Sequence, residues 1–203
     1  IYSKLGLDVE KSLETLDEEF FKACSTAKIA RAHADIRMFL QDFPGVIEGL
    51  QAEYQFKPSP EVAFEIAEAE FTAERFDSAL ERYGVRFEGF PKLDWGRRDL
   101  PPDRGEILAE ETLYVWGEQG IGDEILFSFF FEELERRVRH VTVAMDARLI
   151  PSYQARYPNW RFIDRLDAPD EMTKADFVCP SGDLMVLFLE ELVAKNAAFK
   201  WPL

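Results

Sequence analysis

The apolar positions of this chain change period about midway along it. Over 14–40 they follow helical spacing, with Leu16, Phe20, Ala23, Ala27, Ala30, Ala34 and Met38 on one stripe. Phe43-Pro44-Gly45 breaks that pattern. A short helix is expected over 46–56, ending at Lys57-Pro58-Ser59-Pro60. Pro60 suits the first turn of the next helix, where its missing N–H would have no partner in any case. Residues 61–71 and 76–83 then form a predicted helix pair joined by Thr72-Ala73-Glu74-Arg75. Small and aromatic residues alternate on its inner faces, among them Ala63, Ile66, Ala67, Ala69, Phe71, Phe76, Ala79, Leu80 and Tyr83.

Residues 87–104 contain aromatic residues, glycine and Pro101-Pro102, and fit a linker carrying Trp95. Beyond residue 111 the pattern becomes short apolar runs alternating with helical stretches. Strands are expected over 112–116, 140–145, 161–163 and 176–179, and helices over 123–137, 147–157 and 183–195. Val141, Val143 and Met145 alternate along the second strand. Such alternation implies an α/β fold with a parallel sheet and right-handed crossovers. Ligands in that architecture bind beyond the carboxyl ends of the strands.

The most informative stretch sits at the first of those strand ends, in Trp116-Gly117-Glu118-Gln119-Gly120-Ile121-Gly122-Asp123. A strand, a glycine-rich turn and a helix form a polar-ligand site in many α/β proteins, because glycine admits close backbone approach and first-turn N–H groups are unpaired. An acidic residue in the turn suggests a carboxylate acting on a hydroxyl rather than an anion cradle. Asp123 fits that role, and equally fits a first-turn carboxylate favoured by the helix dipole. Gly117, Gly120 and Gly122 fit either a ligand cradle or turn positions requiring positive φ. Glu118 and Gln119 fit either cleft-facing hydrogen bonders or an exposed loop. Trp116 fits the core better than a stacking platform. Asp146, at the end of the second strand, fits a ribose-binding acid of a dinucleotide site or a cap for the helix that follows. The glycine order here is GxxGxG, not the dinucleotide GxGxxG.

Composition narrows the partners. The 203 residues carry a net charge of −15, which opposes nucleic acid or an anionic membrane surface as the main partner. The longest apolar run, residues 125–131, falls well short of the ~20 needed for a membrane span. Cys24 and Cys179 are far apart and outside any CxxC pair, which fits reduced thiols and a cytoplasmic protein. His33 and His140 have no partner at metal-ligand spacing. Arg136-Arg137-Val138-Arg139 suits the end of a helix, where cations meet the negative dipole terminus.

The eight residues 116–123 resemble the "WGEQGxGD" signature of glycosyltransferases linked to tetratricopeptide repeats and related to bacterial heptosyltransferases. The surrounding sequence is similar as well. Tyr83, Arg86 and Phe87 close a tetratricopeptide-like hairpin, and a Pro- and Trp-bearing stretch over 91–95 precedes the signature strand. The resemblance covers roughly residues 61–203, and no second repeat copy appears at a period of ~34 residues. Glu124 and the aromatic run 127–131 depart from the family pattern.

The resemblance implies a helical, tetratricopeptide-like region over 1–90, a linker over 91–110, and over 111–203 the Rossmann-like, acceptor-side half of a GT-B fold. The chain begins at Ile1 without Met and ends about where a crossover to a donor-binding domain would start, so the resemblance implies either a donor domain on another stretch or a truncated form. The implied activity is inverting transfer from a nucleotide-sugar to a protein or glycan hydroxyl, with no resident cofactor. Asp123 is the implied general base, and Gly117, Glu118, Gln119, Gly120 and Gly122 line the substrate cleft. Two alternatives remain at this point: a Rossmann domain binding NAD or S-adenosylmethionine, and a non-catalytic scaffold whose helices dock a polypeptide.

Overall fold

The structure is a computed structural model that describes residues 15, 17, 26–89, 111–118, 120–167 and 172–195. The chain divides into two compact units, Ile1–Lys92 and Leu93–Leu203. Residues 90–110, which hold most of the expected linker, lie outside the described residues, as do Cys24 and Gln119.

The first unit is helical: α1 (Ala27–Phe39), α2 (Phe43–Phe56), α3 (Pro60–Thr72), α4 (Phe76–Tyr83) and the single turn α5 (Arg86–Gly89). Each of the first three helices starts on a side chain that accepts an orphan amide. Thr26 accepts the Ile29 N–H, Asp42 the Gly45 N–H and Ser59 the Val62 N–H, each at 3.3 Å. Two expectations change here. The continuous stripe over 14–40 is interrupted at Thr26, whose extended backbone (φ −152°, ψ 149°) caps α1. A threonine hydroxyl satisfies N–H groups locally, and that capping outweighs helical periodicity. Pro44-Gly45, expected as a break, lies inside the first turn of α2, where proline loses no hydrogen bond.

Ala34, Val46, Ile47, Leu50, Val62, Ile66 and Ala69 form the shared core of α1, α2 and α3. Gly49 lets α2 cross α1 closely: a Cβ there would come within 2.8 Å of the Ala34 backbone nitrogen. Met38, expected on the inner stripe, is 48% exposed. Phe87, expected to open the linker, is buried in α5. The unit closes on Arg86, which is fully buried. Its guanidinium carbon lies 4.1 Å from the Tyr83 ring centroid and 4.0 Å from that of Phe87. Its Nη1 donates to the Tyr83 carbonyl at 3.2 Å.

The second unit is an α/β layer built on a four-stranded parallel sheet. Its strands are β1 (Thr112–Trp116), β2 (His140–Met145), β3 (Arg161–Asp164) and β4 (Phe177–Pro180). Their order across the sheet is β3-β2-β1-β4. β1 pairs Leu113 with Val141 on one side and with Phe177 on the other. Buried on both sides, β1 is an unbroken apolar run rather than an alternating one. Trp116 is fully buried, as the core reading expected. β1 leads into α6 (Ile121–Phe127), a 3-10 turn over Ser128–Phe130, and α7 (Phe131–Glu135). β2 leads into α8 (Ile150–Arg156), β3 into a 3-10 turn over Arg165–Asp167, and β4 into α9 (Asp183–Lys195).

Phe131 packs with Tyr153, Tyr157, Trp160 and Phe162, tying α7 and α8 to β3. Asp176, expected as the first residue of β4, is instead a clasp. Its Oδ2 accepts the Thr112 N–H at 2.9 Å and the Thr112 hydroxyl at 2.7 Å. Among the described residues, no helix is long and apolar enough to cross a membrane.

Arg86 combines a stacked cation with the body of a buried side chain, so Arg86→Ala is expected to lower the unfolding free energy by about 2–4 kcal/mol. Arg86→Lys is expected to recover less than half of that loss, because an ammonium lacks the flat faces that two rings cover. Urea unfolding of the three proteins measures both.

Candidate functional site

The chain steps from β1 to β2 to β3 in one direction and then places β4 on the other flank of β1. That reversal is a topological switch point, and in open α/β sheets ligands bind at such a point, here outside the carboxyl ends of β1 and β4. Two short segments meet there: the turn from Gly117 to Gly120 that starts α6, and Ser181-Gly182 ahead of α9.

These segments are bonded to each other. The Ser181 N–H donates to the Trp116 carbonyl at 2.8 Å, extending the β1–β4 ladder by one residue. Glu118 is buried and its Oε1 accepts the Gly182 N–H at 2.7 Å. Glu118 is therefore neither an exposed loop residue nor free at that oxygen; it clamps one turn to the other. Asp123 sits at the third position of α6, where its Oδ2 accepts the Gly120 N–H at 3.0 Å. This is the acidic half of a capping box; Gly120 has no side chain to make the reciprocal bond. The second oxygen of Asp123, Oδ1, makes no bond among the described residues, and the residue is half-buried. Beside it, Gly122 is exposed, and a Cβ there would meet open space.

None of Gly117, Gly120 and Gly122 requires positive φ. Gly117 is needed for a different reason. A Cβ on it would run into the carboxylate of Glu124, which is buried. That carboxylate is held at both oxygens. Arg165 Nη1 donates to Oε1 at 2.9 Å, and the Asp146 N–H donates to Oε2 at 2.8 Å. Arg165 also reaches Asp146 Oδ2 at 3.4 Å. Arg148 donates to both Asp146 oxygens at 2.8 Å. Beyond β2 and β3, the carboxyl edge of the sheet is thus a closed network of ion pairs. These bonds hold the Asp146 carboxyl well below its usual range, the Arg148 side-chain bond first among them. Asp146 accepts the Arg148 N–H in a tight turn, and α8 begins only at Ile150, so it does not cap a helix at 147.

The turn amides are engaged in the same way. Those of Gly117, Gly120, Asp146, Ser181 and Gly182 all donate within the chain. A phosphate cradle needs such amides directed at its anion. A dinucleotide site also needs a strand-end acid available for a ribose. Here those five amides and Asp146 are occupied, and three carboxylates, Glu118, Asp123 and Asp183, belong to the two turns.

Sequence reasoning missed Ser181. It is buried, and its Oγ has no hydrogen-bond partner among the described residues. The available signal was the run Pro180-Ser181-Gly182-Asp183, a second strand–turn–helix junction like the first. Glu124 registered only as a departure from the family pattern, and Arg165 not at all. Cys179 is a buried free thiol in β4. Arg136 and Arg137, expected to answer a helix dipole, both bind the Glu133 carboxylate. No family model matches this chain, and no curated protein matches it significantly.

Gly117→Ala is expected to destabilise the fold by about 2 kcal/mol, and by less than half as much when Glu124 is also changed to Ala. A double-mutant cycle by chemical unfolding measures the coupling; strict additivity would mean the two residues do not compete for space. Glu124 also makes a pH prediction. Burial pushes its carboxyl above the ordinary 4.5, against the opposing pull of the Asp146 amide and Arg165. The folded chain therefore holds that proton more tightly than the unfolded chain. Its contribution is complete below the unfolded value and is lost as pH rises through the folded one. Stability of the wild type is expected to decline as pH rises through that window above 4.5, and Glu124→Gln to remove the decline. An identical slope in both proteins would exclude Glu124 as its source.

Proposed function

We propose that the β1/β4 crevice binds a hydroxyl-rich acceptor. On this reading the chain supplies the acceptor-side half of an inverting, nucleotide-sugar-dependent glycosyltransferase of the heptosyltransferase-like kind. The observation that carries the reading is the half-engaged carboxylate of Asp123. One oxygen is fixed on the Gly120 N–H, which restrains the side chain, and the other makes no bond among the described residues. A base held this way needs no reorganisation to accept a proton. In the step proposed, an acceptor hydroxyl oxygen bonds to the anomeric carbon of the donor as the carbon–oxygen bond to the nucleoside diphosphate breaks. The hydroxyl proton passes to Asp123 Oδ1.

The crevice favours neutral hydroxyl groups over anions, because its side chains are acidic and the amides of Gly117, Gly120, Ser181 and Gly182 are engaged. The same features weigh against NAD or S-adenosylmethionine, since Asp146 is committed to Arg148 and Arg165. The tetratricopeptide-like character of the helical unit belongs to this reading too, through the α3–α4 hairpin closed by Arg86.

Asp123→Asn keeps an oxygen for the Gly120 amide and removes the base. In protein that includes this chain, assayed for nucleoside diphosphate release from UDP-, GDP- and ADP-sugars, the variant is expected to lose about 10²–10⁴-fold in kcat while thermal unfolding stays nearly constant. Full activity in the variant would overturn the assignment of the base. Saturation-transfer NMR with a glycan panel, NAD and S-adenosylmethionine separates the readings: binding of either cofactor without any glycan would replace this function with the cofactor-binding one.

A further inference from the structure

The helices of the α/β unit frame a pocket of their own. The 3-10 turn after α6 and the whole of α7 line one side of it, and α8 lines the other. Its volume is about 440 Å³, within the range of small-molecule sites. No residue of the β1/β4 crevice lines it. Its first lining residue, Ser128, already lies about 7 Å of helical rise beyond Asp123.

The lining brings together an aromatic wall and paired polar groups. Phe129 is 45% exposed. Tyr157 is buried, its ring packed on Phe131 and Trp160, which leaves its hydroxyl end to the pocket. That hydroxyl makes no bond among the described residues. Burial pushes it above its ordinary value, so it stays protonated and can donate at neutral pH. Tyr153 offers the opposite polarity. The Ser128 hydroxyl donates to the Ile125 carbonyl at 2.6 Å, so across the 2.7 Å contact between the two hydroxyls Tyr153 is the donor. The lone pairs of Tyr153 then remain to accept. Arg156 Nη2 donates to Glu132 Oε1 at 2.9 Å, and Arg136 Nη1 donates to Glu133 Oε2 at 2.5 Å. Each guanidinium is thus held by one nitrogen, with further N–H groups to offer. The two arginines and two glutamates balance, so the lining carries no net charge.

We infer that this pocket is a saccharide-binding site, holding a neutral sugar ring with its C–H face on Phe129 and its hydroxyls against Tyr153, Tyr157 and the two guanidinium–carboxylate pairs. Three observations select that ligand. A sugar hydroxyl both donates and accepts, and the two tyrosine hydroxyls supply one partner of each kind. A charge-balanced lining attracts neither an anion nor a cation, whereas fixed guanidinium forks match neighbouring hydroxyls. A flat aromatic ligand would gain most from stacking between rings, but Tyr157 is covered by Trp160 at 4.8 Å and by the Arg156 guanidinium at 5.0 Å. The Tyr153 ring is likewise stacked on Phe162. A sugar needs a single apolar platform, which the negative face of a phenyl ring supplies to its C–H groups. The site binds without reacting, and it does not depend on the transferase reading of Asp123.

Saturation-transfer NMR on the whole chain tests this with maltose, cellobiose, lactose and mannobiose as probes, and AMP and benzoate as comparisons. Saturable binding of at least one disaccharide is expected, with neither comparison compound displacing it. Tyr157→Phe removes a hydroxyl that the fold does not use and is expected to weaken binding about threefold to tenfold. Phe129→Ala is expected to weaken it roughly fivefold or more. Phe39→Ala, which removes an exposed ring of the helical unit, is expected to change it less than about twofold. Asp123→Asn is expected to leave it unaltered. No saturable disaccharide binding would overturn the inference, as would tighter binding of AMP or benzoate. So would binding that falls in Asp123→Asn yet is unchanged in Tyr157→Phe and Phe129→Ala, which would put the sugar in the β1/β4 crevice and leave the transferase reading standing. Should Phe129→Ala lower the unfolding temperature, Tyr157→Phe alone is read, and unchanged binding in it counts against the site.

Discussion

The carboxyl edge of the sheet depends on one buried carboxylate. Glu124 lies on α6, takes an amide from the residue that ends β2, and takes a guanidinium from the turn after β3. Removing a carboxylate from water costs several kcal/mol even after relaxation, and only good geometry with both oxygens engaged offsets it. Here Arg165 and the Asp146 N–H offset part of that cost, and burial remains the larger effect. The arrangement also imposes a constraint on the sequence: with the carboxylate filling the space over residue 117, any side chain there has to displace Glu124. The glycine that looks most like a ligand-binding feature is thus required by a neighbouring side chain.

The edge then divides into two halves with different chemistry. Over β2 and β3, charges of both signs neutralise one another in the network of Glu124, Arg165, Asp146 and Arg148. Over β1 and β4, carboxylates and a buried hydroxyl remain. β1 and β4 are tied at both ends, by Thr112 with Asp176 at one and by Trp116, Glu118, Ser181 and Gly182 at the other. Such fixing holds the two turns against each other, and several of their amides serve the fold rather than a ligand.

Elements governed by burial were legible in the sequence. β1, β2, α4 and α9 fall on the residues that periodicity selects, because apolar spacing is what the core enforces. Boundaries set by single side chains were not. Thr26 and Asp42 decide where α1 and α2 begin, and a capping bond leaves no trace in a hydrophobic pattern. The strand–turn–helix junction at Asp123 was legible, as was the burial of Trp116. Glu124, Arg165 and Ser181 were not, since their roles arise from residues 19 to 65 positions apart meeting at one edge. An acidic residue in an apolar helical run carries no signal of its partner until the strand order is known.

Structural and chemical roles for Asp123 need not compete. A first-turn carboxylate stabilises its helix through one oxygen, by an acceptor bond and by the favourable end of the helix dipole. The bond to Gly120 also narrows the rotamers open to the side chain. A general base benefits from that same restraint, because its reach to a substrate proton depends on position before it depends on basicity. The exposed, side-chain-free Gly122 next to it leaves that flank of α6 uncovered. The cap thus does for Asp123 what Arg165 does for Glu124: it fixes a carboxylate at the edge of the sheet. The difference lies in the second oxygen, which Glu124 commits to the fold and Asp123 does not.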